Sequence, residues 1–210
     1  MSPKPKHIDY KKELNSAQLE AVMFDDGPLL VIAGAGSGKT RTLTYRVARL
    51  VEAGVPPAAI LLLTFTRKAS AEMLTRACRL LDERCGKVSG GTFHSFANSI
   101  LRRYAAVCGF GSGFSIMDRA DAESLIGMVK KELGLSAKKR AFPRNQTLAN
   151  IFSRSVNKGL SVDEVVFNDY PHFTLAADDL TTLFSLYSER KLQLNFVDYD
   201  DLLVYLYRLL

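Results

Sequence analysis

"AGAGSGKT", residues 33–40, closes an apolar run and opens a stretch with helical spacing. Its glycines let the backbone curl so that several N–H groups converge on one concavity, and the helix that follows adds its positive dipole end. In this arrangement Lys39 reaches the β- and γ-phosphates of a nucleotide and the Thr40 hydroxyl ligates Mg²⁺. The expected cradle is Ala33, Gly34, Ala35, Gly36, Ser37, Gly38, Lys39 and Thr40. Ala33 replaces the glycine that opens the pattern G-x-x-x-x-G-K-[ST], but a small residue there still permits the turn.

The flanks of this loop set the fold class. "PLLVIAG" (28–34) and "AILLLTF" (59–65) read as short, buried parallel strands. Between them, "KTRTLTYRVARLVEAG" (39–54) reads as a helix closed by Gly54, with Leu43, Val47, Leu50 and Val51 toward the core. Strand, glycine-rich turn, helix and strand make a βαβ unit of an α/β domain. A second helix from about Lys68 to Glu83 and a short strand near "KVSGGTF" (87–93) continue the alternation. After "VCGFGSGF" (107–114) the strand signals stop, and the chain reads as helices over 118–133, 146–158, 161–168, 177–192 and 199–209. Leu180, Leu183, Phe184 and Tyr187 show the helical period most clearly. The predicted organisation is an α/β nucleotide domain over 1–110 with an incomplete parallel sheet, an all-helical subdomain over 111–195, and a return helix over 196–210.

Composition narrows the class further. The 210 residues are 47% apolar, enough for a real core in one large or two small domains. No stretch approaches the roughly 20 uninterrupted apolar residues of a membrane span, and "MSPKPKHIDYKK" (1–12) has no signal-peptide apolar region. Cys78, Cys85 and Cys108 are an odd set without CxxC spacing, which reads as reduced, mostly buried thiols of a cytoplasmic protein. The net charge of +6 is uneven. Residues 1–110 hold 16 Lys+Arg against 9 Asp+Glu, residues 111–160 hold 9 against 4, and residues 161–210 reverse this with 3 against 9. The middle excess includes Lys130, Lys131, Lys138, Lys139, Arg140 and Arg144. A polyanion suits the first two segments, although a modest basic excess also occurs on ordinary soluble surfaces.

Three further stretches carry chemistry. In "LNSAQLEAV" (14–22), Asn15 and Gln18 have capping-box spacing, which by itself accounts for Gln18. "TFTRKASAEM" (64–73) falls at the C-terminal end of a parallel strand, the edge where α/β domains bind ligands. There Phe65, Thr66, Arg67 and Lys68 join an aromatic face to phosphate-binding donors, a combination suited to single-stranded nucleic acid. The alternative is a core Phe65 with solvated charges in the first helical turn. "GTFHSFANSILRRY" (91–104) repeats the pattern with Thr92, Phe93, His94 and Ser95, and no second ligand at metal spacing accompanies His94.

"LNSAQLEAV", "AGAGSGKTRT", "LTFTRKASAEM" and "GTFHSFA" occur in that order in the superfamily 1 DNA helicases of the UvrD/Rep/PcrA kind, and "LNFVDYDDLL" (194–203) resembles a further stretch of them. The resemblance covers essentially the whole chain and is weakest from 115 to 190. It implies a RecA-like P-loop fold, with Gln18 as the adenine-reading residue and Lys39, Thr40 and Arg41 against the nucleotide. It places Phe65 to Lys68 and Thr92 to Ser95 along single-stranded DNA. Arg67 stands where many relatives have Asn, which replaces a specific hydrogen bond by a phosphate contact. The helical segment is similar to the insertion that meets duplex DNA ahead of a fork. The implied activity is ATP- and Mg²⁺-dependent stepping on single-stranded DNA in the 3′→5′ sense with unwinding of duplex junctions, in repair or replication, with room for accessory proteins of those processes.

Hydrolysis needs an Asp for Mg²⁺ and a Glu for the attacking water, which the family carries as D-E-x-Q after an apolar run. "SVDEVV" (161–166) lacks that run and has Val166 where Gln belongs, so Ser161 and Glu164 read as a capping box with Leu160 and Val165 as a hydrophobic staple. Asp198 to Asp201 likewise suits a helix start. The arginines of a second motor domain, which neutralise γ-phosphate charge, are also missing from the sequence. The expectation is therefore the N-terminal piece of a longer helicase, inactive as an ATPase by itself. The alternatives are the motor part of a helicase–nuclease and a non-catalytic nucleotide- or DNA-binding module.

Overall fold

The computed structural model describes residues 7–25, 27–111, 113–135 and 142–210. The chain divides into two compact units, residues 1–96 and 97–210.

The first unit is built on helices α1 (Tyr10–Glu13), α2 (Ser16–Met23), α3 (Lys39–Glu52) and α4 (Arg67–Leu80), with strands β1 (Leu61–Thr64) and β2 (Ser89–Thr92). β1 and β2 are parallel, in register from Leu61↔Ser89 to Thr64↔Thr92. The α3 stripe that reaches the core is Tyr45, Val47, Ala48 and Val51, whereas Leu43 is exposed. Leu43, four residues before Val47, lies at the edge of this buried face rather than within it. Thr66 caps α4 by accepting from Ala69 N at 3.1 Å, so the helix starts at Arg67, and it ends at Leu80 rather than near Glu83. Close approach of α4 to the sheet depends on Gly90: a Cβ there would lie 2.6 Å from Ser70 Oγ and 2.7 Å from Leu74 Cδ1.

One expected strand does not form. Residues 28–34 run without strand pairing, and Leu30 (84% exposed) and Ile32 (90%) point to solvent. A strand is defined by a partner ladder, and among the described residues neither edge of this segment has one. The apolar run recorded the tendency to be buried, but burial needs neighbours on both sides.

The second unit contains α6 (Arg119–Glu132), α7 (Asn145–Lys158), α8 (Val162–Asp169), α9 (Ala177–Gln193) and α10 (Tyr199–Leu209), and most of α5 (Phe93–Tyr104). These bounds agree with the helices read from the sequence to within one or two residues. Its core is Ile126, Leu148, Ile151, Val165, Leu180 and Leu183. Ser161 and Glu164 form the expected capping box on α8, and Asp198 and Asp201 form one on α10. The sequence reading missed a two-residue parallel pair, β3 (Ser115–Ile116) with β4 (Phe196–Val197). Asn195, in the left-handed region at φ 55°, bridges the same two segments: its side-chain oxygen accepts from Gly111 N at 2.9 Å and its carbonyl from Ser115 N at 2.9 Å. A two-residue ladder carries no periodicity to read, so only tertiary contact reveals it.

One lysine of the basic segment is not freely exposed. Lys130 is half-buried: its Nζ donates to the Pro143 carbonyl at 3.0 Å and lies 4.8 Å from the Phe142 ring centre, and burial lowers its pKa. Lys138, Lys139 and Arg140 lie outside the described residues. No helix among the described residues is long and apolar enough to cross a membrane.

Candidate nucleotide and nucleic-acid site

The loop after residue 32 turns on two glycines. Gly36 (φ 76°) and Gly38 (φ 92°) occupy the left-handed region that side chains avoid, and Gly38 caps α3. Ser37 closes the turn through its hydroxyl, which donates to the Gly34 carbonyl at 2.8 Å. Lys39 folds across the loop and donates to the carbonyls of Ala33 (2.9 Å) and Gly34 (2.7 Å). These are acceptors that phosphate oxygens can replace, so the ammonium already points into the cradle. Thr40 stands exposed in the first turn of α3, with its hydroxyl available to a hydrated Mg²⁺.

Gln18 does two things at once. Its Oε1 accepts from Asn15 N (3.4 Å) and Asn15 Oδ1 accepts from Gln18 N (2.9 Å), which is the expected capping box of α2. Its Nε2 donates to the Ser37 carbonyl at 3.1 Å and crowds Gly38, where a Cβ would come within 2.6 Å. The amide is thereby oriented by a donor at one end and an acceptor at the other. One N–H and one oxygen lone pair remain for a ligand edge. A cavity of about 250 Å³ brings Gln18, Ser37, Ala33 and Lys39 together. Arg41 does not line it. It borders a second cavity of about 440 Å³ with Thr44, Tyr45, Arg76 and Arg79.

The ends of β1 and β2 carry the other predicted residues. Because Thr64 pairs with Thr92, the chain leaves both strands side by side. Phe65 is 96% exposed and its ring centre lies 6.3 Å from that of Phe93, itself 44% exposed. Phe65 is thus not a core residue. Arg67, Lys68 and His94 are exposed beside it. The neighbouring hydroxyls are engaged locally: Thr66 caps α4, and Thr92 and Ser95 hold one another, with Thr92 N to Ser95 Oγ at 2.8 Å and Ser95 N to Thr92 Oγ1 at 3.1 Å. What projects is a ledge of two aromatic rings bordered by cations. Among the described residues no group of His, Cys, Asp and Glu could hold a metal.

The family described as UvrD/REP helicase N-terminal domain matches residues 14–210. The chain belongs to that family. It is 41% identical over 201 residues to "ATP-dependent DNA helicase UvrD1" of Mycobacterium tuberculosis (strain ATCC 25618 / H37Rv), covering 90% of this chain and 24% of that protein. It is 38% identical over 192 residues to "ATP-dependent DNA helicase PcrA" of Bacillus subtilis (strain 168), covering 91% and 25%. A shorter match reaches 46% over 129 residues with the PcrA of Staphylococcus epidermidis (strain RP62A), covering 61% and 18%. The chain spans about a quarter of the length of the UvrD/REP-family relatives that it matches along most of its own length.

Two polar clusters on α3, one beside the loop and one at the far end of the helix, use residues that the sequence reading passed over. Glu13 and Tyr45 bind Arg41, and Glu52 binds Tyr10 (2.5 Å) and His7 (2.8 Å). Burial and the Glu52 carboxylate push the Tyr10 hydroxyl far above its ordinary value. The hydrogen bonds from Tyr10 and His7 outweigh the effect of burial and hold the Glu52 carboxyl below its ordinary range. Arg41 and Tyr45 four residues apart is a helix-face signal, but Glu13 is remote in sequence.

Proposed function

We propose that the protein carrying this chain is an ATP-dependent DNA helicase that steps 3′→5′ along single-stranded DNA and opens duplex junctions in repair or replication. In this reading residues 1–110 belong to a RecA-like motor, 111–195 to a helical insertion and 196–210 to the return. The observation that carries it is the pair of exposed rings, Phe65 and Phe93, at adjacent parallel strand ends in a unit that also holds a P-loop. Aromatic faces stack on any base, which suits a motor that must pass every sequence.

Each residue has a part. Backbone N–H groups of residues 34–38 and the start of α3 receive the phosphates, Lys39 neutralises their charge, and Thr40 would hold Mg²⁺, which would supply further positive charge to the phosphates. Gln18 offers its remaining N–H and lone pair to the adenine edge while keeping both of its ties to the loop. Arg41 contacts the nucleotide as well. Arg67, Lys68 and His94 accompany the DNA backbone beside the ring ledge. Neither β1 nor β2 is followed by an acidic pair: Phe65-Thr66 and Phe93-His94 stand at those ends. The carboxylates for water activation therefore have to come from elsewhere in the protein.

Two experiments test this. The 210-residue chain is expected to bind a fluorescent ATP analogue with Mg²⁺ weakly, to lose that binding in Lys39→Ala, and to hydrolyse ATP negligibly. Vigorous DNA-stimulated hydrolysis by the chain would contradict the assignment of its parts. The full-length gene product is expected to unwind a duplex with a 3′ single-stranded tail and not one with a 5′ tail; the opposite preference would reject the direction.

A further inference from the structure

Arg41 is held in a way that its helix does not explain. Among the described residues one of its nitrogens is used: Nη2 donates to the Glu13 carbonyl (2.8 Å), to Glu13 Oε2 (3.0 Å) and to Tyr45 Oη (3.3 Å). Tyr45 donates its own hydroxyl to Glu13 Oε2 at 3.1 Å, which closes a three-residue ring of bonds. The guanidinium carbon lies 5.1 Å from the centre of the Tyr45 ring. Among the described residues, Nε and Nη1 donate to nothing. Pinning one corner leaves the rest of a flat cation open on a half-exposed surface.

The support beneath the pin is rigid. Glu13 ends α1, whose Tyr10 is buried and bonded to Glu52 at the far end of α3. Leu14, next in sequence, is also buried. Glu13 and Tyr45 are therefore fixed relative to α3 at both ends, and Arg41 inherits that order. A long side chain ordered in advance loses less rotamer freedom on binding.

We propose that Glu13, assisted by Tyr45, is a positioning residue for Arg41 in nucleotide binding. The effect opposes simple electrostatics, because a carboxylate near a polyanionic ligand should by itself weaken binding. The inference rests on the reading that Arg41 contacts the nucleotide, and the test separates the two.

The experiment titrates the chain with a fluorescent ADP analogue and Mg²⁺, using wild type, Glu13→Ala, Glu13→Gln, Arg41→Ala and the Glu13→Ala/Arg41→Ala double variant. Thermal melts confirm that each is folded; both side chains lie at the surface. Arg41→Ala is expected to weaken binding. Glu13→Ala should weaken it roughly 2- to 10-fold. Glu13→Gln, which keeps an acceptor oxygen and loses the charge, should stay near wild type. The double variant should be no weaker than Arg41→Ala alone, since Glu13 acts only through that guanidinium. If Glu13→Ala binds as tightly as wild type or tighter while Arg41→Ala weakens, the positioning role is wrong and the Arg41 contact stands. An equal Glu13→Ala penalty with and without Arg41 means a general structural effect and overturns the proposal. No change in Arg41→Ala removes the Arg41 contact, and the positioning role with it.

Discussion

Lys191→Met is expected to destabilise the helical unit by about 3–5 kcal/mol, the cost of removing one partner from a buried ion pair. Lys191 is only 6% exposed, and its ammonium donates to Asp198 Oδ2 at 2.7 Å and to Asp201 Oδ2 at 2.6 Å. Tyr187 donates to the same Asp198 oxygen at 3.2 Å, and its ring centre lies 4.7 Å from the ammonium. Methionine keeps the volume but leaves two carboxylates facing each other without a cation. The melting midpoint should fall by roughly 6–20 °C if the chain unfolds as one unit of its size. Changing Asp198 and Asp201 to Asn together with Lys191→Met should recover much of the loss, because no buried charge is then stranded. A loss below about 1 kcal/mol in chemical denaturation would show that water reaches the cluster and screens it.

The same cluster sets a pH signature. Burial alone would lower Lys191, but the carboxylates of Asp201 and Asp198 outweigh it and hold the ammonium above its ordinary range. Its contribution is therefore complete below the ordinary lysine pKa of about 10.4 and is lost as pH rises through the higher folded value. Burial pushes Asp198 up, but Lys191 overrides it and leaves that carboxyl below its usual range. That part is present above the ordinary carboxylate pKa of about 3.9 and is lost on acidification. Asp201 moves the other way, raised chiefly by burial, and partly offsets the acid loss. Wild type and Lys191→Met should therefore converge in stability toward strongly alkaline pH.

Phe65→Ala is expected to weaken binding of oligo-dT by the full-length protein roughly 5- to 150-fold, as for loss of one base stack of about 1–3 kcal/mol. Stability should change by no more than about 0.5 kcal/mol, because the ring is almost wholly exposed and leaves no cavity. Fluorescence anisotropy beside a thermal melt reads both quantities. Unchanged affinity would reduce the ring to a surface residue and remove the main support for a DNA path across these strand ends.

These effects differ in how far the sequence announced them. A phenylalanine after an apolar strand fits core and surface equally, and only the position of the chain beyond β1 exposes Phe65. Lys191 lies on the stripe Leu180, Leu183, Tyr187 that the sequence marked as buried, so a lysine in that register was a visible anomaly. Its resolution needed Asp198 and Asp201, which read as a helix cap and are one, yet also carry the counter-charge.

What the sequence determined alone is local. The left-handed glycines of the P-loop, the capping boxes at Asn15, Ser161 and Asp198, and the helix bounds depend on residues within about four positions of each other. The family is likewise legible in four ordered motifs. The tertiary structure alone decided that residues 28–34 stay unpaired, that β3 meets β4 across some eighty residues, that Lys130 is half-buried, and that Glu13 holds Arg41. Each of these depends on which distant surfaces meet. Strand pairing and ion pairing across a fold reward contact rather than composition, so no window of sequence contains them.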